Sequence, residues 1–266
     1  MKHTLLAVSL AAALFGGLSA ANAGVLKVGA TPVPHAEILE HVQPALAKKG
    51  VELKITEFND YVQPNLAVSD GELDANFFQH QPYLDVFVKD HGSDLVNVAG
   101  VHIEPMGIYS KGIKKLKDIK EGASVGIPND PTNGGRALLL LAKAGLIKVA
   151  DPDDVTVTVL DVVENPKKLK FQELEAAQLP RALPDVDFAV INTNYALPAG
   201  LNPLKDAIFI EDADSPYVNI LVANSKSAKN PDLKVLIDEL SSAETAKFIT
   251  KKYNGAVVPV AGQDKK

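Results

Sequence analysis

The apolar residues of this chain keep switching period, from two to between three and four and back, which restricts the fold to alternating strands and helices. Residues 25–30, Val-Leu-Lys-Val-Gly-Ala, read as an opening strand. Thr31-Pro32-Val33-Pro34 is a loop feeding a helix over about residues 35–49, in which Ile38, Leu39, Val42, Ala45 and Leu46 share one face, with Gly50 as its cap. Residues 51–56 then alternate as a half-buried strand does. This βαβ opening is followed by a helix over 61–68, a short strand over 73–76, a helix over 82–91 and a strand over 95–103. Strands alternating with helices predict parallel, doubly wound sheets.

A second round begins after Glu104-Pro105-Met106-Gly107. It predicts strands over 123–127, 155–160 and 186–191 and helices over 134–144 and 169–177, a candidate second lobe. Residues 207–211 and 218–223 look like extended segments returning toward the first lobe, and helices over 232–240 and 243–253 end the chain. The organisation expected is a first lobe made of 24–106 and 212–266, a second lobe of 107–211, and two crossover strands between them.

The N-terminus predicts an export signal: Lys2, an apolar run from Leu5 to Leu18 broken by Gly16 and Gly17, and a small-residue cleavage site at Ala21-Asn22-Ala23. Cleavage is placed after Ala23. The run is too short and broken for a retained span, and no later stretch reaches the roughly 20 apolar residues that crossing a bilayer requires. The net charge of −6, with no basic cluster, argues against nucleic acid. Cysteine is absent, which excludes disulfides, thiolate catalysis and thiolate zinc sites.

Enzyme signatures fail. There is no phosphate-binding P-loop, no His-Glu-x-x-His pair and no dinucleotide-binding glycine fingerprint. Gly122-Ala123-Ser124-Val125-Gly126 matches the nucleophile-elbow spelling, but a polar lysine-rich stretch precedes Ser124 and a strand follows it, the reverse of what the elbow requires. His35, His80, His91 and His102 have no compact ligand spacing, so no metal site or cofactor is assigned. A metal-ion receptor and a hydrolase stand as the less favoured readings.

The most informative segment is residues 128–136, Pro-Asn-Asp-Pro-Thr-Asn-Gly-Gly-Arg, between a strand and a helix. Of the 27 basic residues only Arg136 and Arg181 are arginine, and a guanidinium in a glycine-flanked helix start suits a carboxylate bidentately. An internal Asp or Glu partner is the alternative. Asn192 and Asn194 follow a strand at its carboxyl end, where open α/β sheets bind ligands; one of them suits a helix cap equally well. Phe77-Phe78-Gln79-His80-Gln81-Pro82-Tyr83 gathers aromatic rings and an imidazole in one turn, either pocket wall or core. Asn219 interrupts an apolar strand and needs a partner, ligand or backbone.

Four of these segments, 77–84, 128–138, 191–196 and Ser-Pro-Tyr-Val-Asn at 215–219, resemble in order the NlpA family of methionine-binding proteins, across essentially the whole chain after the signal. The resemblance implies a two-lobed, periplasmic-binding-protein-like α/β fold, each lobe a doubly wound mixed sheet, and a non-catalytic receptor for methionine, L- or D-, serving the permease and ATPase of an ABC importer. A dipeptide or another amino acid on the same scaffold is the nearest alternative. It further implies that Arg136 clamps the ligand carboxylate, that Asn194 and Asn219 fix its polar groups, and that Tyr61, Phe78, His80 and Tyr83 line the side-chain pocket, with Asn133 and Asn192 as neighbours. Many relatives carry an acylated cysteine where Gly24 stands. The expectation from this chain is a soluble periplasmic monomer with no lipid anchor.

Overall fold

A computed structural model describes residues 24–212 and 216–261. The signal-peptide reading lies outside the described residues. In chain order the first group of elements is β1 (Gly24–Ala30), α1 (Glu37–Lys48), β2 (Val51–Glu57), α2 (Gln63–Ser69), β3 (Ala75–His80), α3 (Gln81–His91) and β4 (Leu95–Ile103). The second is β5 (Gly107–Tyr109), β6 (Ser124–Pro128), α4 (Pro131–Lys143), β7 (Lys148–Val149), β8 (Val162–Glu164), β9 (Lys170–Leu174), α5 (Leu179–Ala182), β10 (Phe188–Ile191), α6 (Thr193–Ala196), α7 (Pro203–Asp206) and β11 (Phe209–Ile210). The chain closes with β12 (Val218–Asn224), α8 (Pro231–Leu240), α9 (Ala243–Tyr253) and β13 (Val258–Pro259).

These strands form two mixed sheets. The first is ordered β13-β4-β12-β3-β1-β2 and the second β11-β5-β10-β6-β9, with β7 and β8 a separate two-stranded ribbon. In the first sheet β1 runs parallel to β2 and β3, while β12 lies antiparallel between β3 and β4. In the second, β6 is parallel to β9 and β10, and β5 is antiparallel to β10 and β11. Residues 104–106 carry the chain from the first sheet to the second, and it returns between Ile210 and Val218.

Helices cover both faces of the first sheet, which explains the apolar run of β12 from Ile220 to Ala223. Leu221 packs with Leu26, Leu39 and Leu236 on one face. Ile220 and Val222 pack with Val68, Leu84 and Phe87 on the other. Side chains alternate across a strand, so a strand buried on both sides reads as a near-continuous apolar run. The second sheet repeats the plan, with Val125, Ile127 and Leu138 on one face and Leu179, Ala189 and Ile191 on the other.

Three local expectations are corrected. Residues 169–177 read as a helix on their Leu, Glu and Gln content, but Lys170–Leu174 is β9, paired parallel to all of β6; sheet pairing overrides weak helix propensity. Residues 155–160 have β-branched strand composition, yet they form turns and a short 3₁₀ turn in which Thr158 and Asp161 cap each other. Residues 207–211 do not return to the first lobe, because β11 still pairs with β5 in the second sheet.

Candidate ligand-binding site

The two sheets meet over a pocket lined by residues from both. All nine residues singled out in the sequence line it: Arg136, Asn194, Asn219, Tyr61, Phe78, His80, Tyr83, Asn133 and Asn192. Gln79, Glu104 and Thr193 line it too and were not anticipated. Glu104 carried a detectable signal, since it opens the Glu-Pro-Met-Gly break between the two halves.

Helix starts deliver most of these side chains. Asp130 caps α4 by accepting from the Asn133 backbone N–H at 2.9 Å, and Pro131 fills the first turn, where no N–H partner is required. His80 ends β3 and caps α3, its Nδ1 accepting from the Tyr83 N–H at 3.2 Å. Its other nitrogen must therefore carry the hydrogen, and Nε2 donates to Asn133 Oδ1 at 3.1 Å. Burial, reinforced by the Arg136 charge, pushes the His80 pKa down to about 3, so this ring is neutral. Gly135 lets α4 approach the neighbouring chain: a Cβ there would lie 2.3 Å from the Val155 carbonyl oxygen.

Arg136 is 3% exposed and only partly free for a ligand. Its Nε donates to Glu211 Oε1 at 2.8 Å, and Nη2 donates to Glu211 Oε2 at 2.5 Å and to the Glu104 carbonyl at 2.8 Å. The Tyr217 ring lies 4.2 Å from the guanidinium carbon. The internal acid that the sequence left open as an alternative is thus Glu211, and it occupies the bidentate edge of the fork. Nη1 is the nitrogen that neither Glu211 nor Glu104 engages.

Asparagines complete the polar end. Tyr61 Oη donates to Asn194 Oδ1 at 2.6 Å, joining a first-sheet loop to α6. Asn192 Nδ2 donates to Asn133 Oδ1 at 2.8 Å. Two buried atoms of this group have no partner among the described residues: Asn194 Nδ2, a donor, and Asn192 Oδ1, an acceptor. Asn192 occupies the position before α6 without making a side-chain cap. Asn219 sits on β12 directly between His80 and His102 on the flanking strands, and its Oδ1 lies 2.9 Å from His35 Nε2.

The aromatic end is formed by Tyr61, Phe78 and Tyr83, with ring centroids 5.8–6.0 Å apart. Tyr83 Oη donates to the Tyr61 carbonyl at 2.8 Å. Phe77, on the opposite face of β3, is core and meets the His35 ring edge to face.

Of the four histidines considered as metal ligands, His35 and His102 converge with Glu104, their ligand atoms within 4.8 Å of one another. Glu104 Oε1 lies 2.7 Å from His102 Nε2 and 3.3 Å from His35 Nε2. His102 Nε2 is hydrogen-bonded to Glu104 Oε1, and His35 Nε2 lies within hydrogen-bond distance of Asn219 Oδ1. Ser124 is bonded to Asp187 through both its hydroxyl and its backbone N–H, far from any nucleophilic role.

Two sheets linked by two crossings around a cavity with a charged and an aromatic end define a two-lobed solute-binding protein. The NlpA lipoprotein model matches residues 26–261, and the chain belongs to that family. The D-methionine-binding lipoprotein MetQ of Escherichia coli K12 is 46% identical, over 92% of this chain and 94% of its own; the protein of the same name from Salmonella typhi matches to the same extent. Among solved structures, a nutrient binding protein from Burkholderia cenocepacia bound to methionine is 49% identical, with a TM-score of 0.86 over 88% of this chain and 99% of its own. The crystal structure of the methionine binding protein MetQ gives 46% identity and a TM-score of 0.84 over 88% and 97%. These relatives are binding proteins, not enzymes.

The matches correct one expectation. A soluble protein with no lipid anchor was inferred from the missing cysteine, but the relatives are named lipoproteins, including an outer membrane lipoprotein of Mannheimia haemolytica 42% identical over 235 residues. The inference rested on an absence and on residues 1–23, outside the described residues, and it does not stand against them.

Proposed function

We propose that this chain is the extracytoplasmic methionine receptor of an ATP-driven importer, monomeric, presenting its ligand to a membrane permease and ATPase. Residues 24–106 with 212–266 act as one lobe and residues 107–211 as the other, closing around the ligand at the two crossings. Relatives that carry methionine in their names match nearly end to end. The observation that carries the reading is the cavity's division of labour. One wall offers a cation from Arg136 and, from Asn194 and Asn192, a donor and an acceptor with no partner among the described residues, and the other offers three aromatic rings. A free amino acid with an apolar side chain presents the complementary set.

In this arrangement the ligand carboxylate meets Arg136 Nη1 and the donors of Asn194 and Asn219. The ammonium meets Asn192 Oδ1, within reach of the field of Glu104. The thioether lies among Tyr61, Phe78 and Tyr83, where sulfur–aromatic contacts contribute about 0.3–1.5 kcal/mol. His80 and Asn133 hold the polar wall in place. Because the ligand touches both lobes, binding favours the closed arrangement.

Titration calorimetry with L- and D-methionine tests this directly. Saturable binding of one or both is expected, together with a rise in melting temperature that zinc does not produce. Absence of heat with either isomer, or stabilisation by zinc alone, would overturn the assignment.

A further inference from the structure

Behind the cavity wall three buried polar groups that the binding reading leaves unused, Thr31, His35 and His102, gather around the lining residue Glu104, none of the four more than 5% exposed. The hydrogens in this row can be assigned from chemistry. Glu104 Oε1 faces His102 Nε2 at 2.7 Å and His35 Nε2 at 3.3 Å. A carboxylate only accepts, so each imidazole must turn an N–H toward it. Burial holds both rings neutral, His35 at a pKa of about 4 and His102 at about 3, and a neutral ring has a single N–H. His35 Nδ1 is therefore a bare acceptor, which the Thr31 hydroxyl satisfies at 2.7 Å. His35 Nε2, the N–H end, also lies 2.9 Å from Asn219 Oδ1. Only the oxygen of an amide can receive that hydrogen.

We infer that His35, with its tautomer set by Glu104 and Thr31, is a positioning residue that fixes the Asn219 amide with its oxygen turned inward and its NH₂ presented to the cavity. Asn219 on its own can flip and offer either polarity. Held by His35 it offers the ligand a donor only, which selects a carboxylate oxygen at that point and disfavours an ammonium. His102 backs Glu104 from the neighbouring strand, in register with Asn219. This role deepens the receptor reading and rests on Asn219 touching the ligand.

Two measurements test it. In the wild-type protein, ¹⁵N-resolved NMR of the His35 ring should show hydrogen on Nε2 and none on Nδ1; hydrogen on Nδ1 would overturn the inference without any variant. In calorimetry, His35→Leu should weaken methionine binding on the order of 10- to 100-fold, and His35→Gln, whose amide N–H can stand near Nε2, should restore most of it. In an Asn219→Ala background the same His35→Leu change should have no further effect. If His35→Leu costs as much in that background as in the wild type, the relay is wrong and His35 is merely structural. If Asn219→Ala alone leaves affinity unchanged, the failure belongs to the ligand site itself.

Discussion

Removing Arg136 should damage stability and binding by separate routes, and the structure shows how to part them. In Arg136→Met, Glu211 loses both bonds to the guanidinium while its side chain is only 12% exposed, keeping the Met106 N–H at 2.8 Å; the Glu104 carbonyl also loses its guanidinium donor. Breaking a buried pair from one side costs about 3–5 kcal/mol. For a chain of this length each kcal/mol is worth about 2–4 °C, so the melting temperature should fall by roughly 6–20 °C. Adding Glu211→Gln removes the stranded charge and keeps an oxygen for the Met106 N–H, so most of that loss should return. Binding should not return, because the ligand carboxylate still faces no cation. Leaving it unpaired costs about 2–5 kcal/mol, or roughly 30- to several-thousand-fold in affinity. The assay is methionine calorimetry on both variants beside differential scanning calorimetry. A double variant that regains both stability and wild-type affinity would refute the claim that Arg136 holds the ligand as well as Glu211.

Tyr61→Phe deletes the hydroxyl that joins the two lobes at Asn194 Oδ1 and should weaken methionine binding by about 1–3 kcal/mol, read by calorimetry; unchanged affinity would remove Tyr61 from the polar wall. Gly135→Ala pushes a Cβ against the Val155 backbone and should cost about 1–3 kcal/mol of stability, so an unaltered unfolding midpoint would contradict the close approach. Acid should destabilise the fold. Burial lowers His35, His80 and His102 to about 4, 3 and 3, below the unfolded value of ~6.5, so the native state binds fewer protons. Their contribution is intact above pH ~6.5 and is lost as pH falls from there toward 3–4, by about 2 kcal/mol per ring at pH 5. Glu104 and Asp130, raised by burial, offset part of it. Equal urea midpoints at pH 7.5 and pH 5 would show that these rings are not buried neutral.

The sequence alone determined the sheet-forming alternation and the addresses of the site. Residues 25–30, 51–56, 95–103 and 218–223 announced themselves as strands because their apolar period is local and belongs to strands wherever they pack. The site residues were legible for a related reason: rare or misplaced types, an arginine among lysines and an asparagine inside an apolar strand, stand out against their surroundings. What tertiary structure decided was partnership. Nothing near Lys170–Leu174 in sequence says that β6 will supply a parallel neighbour, so helix propensity misled there. Likewise Arg136 and Glu211 are 75 positions apart, and His35 and Asn219 are 184 apart. Hydrogen-bond direction depends on which atom faces which across such distances. The order of the residues therefore gave the parts of the cavity, and only the packing of two sheets settled which nitrogen and which oxygen each part turns toward its neighbours.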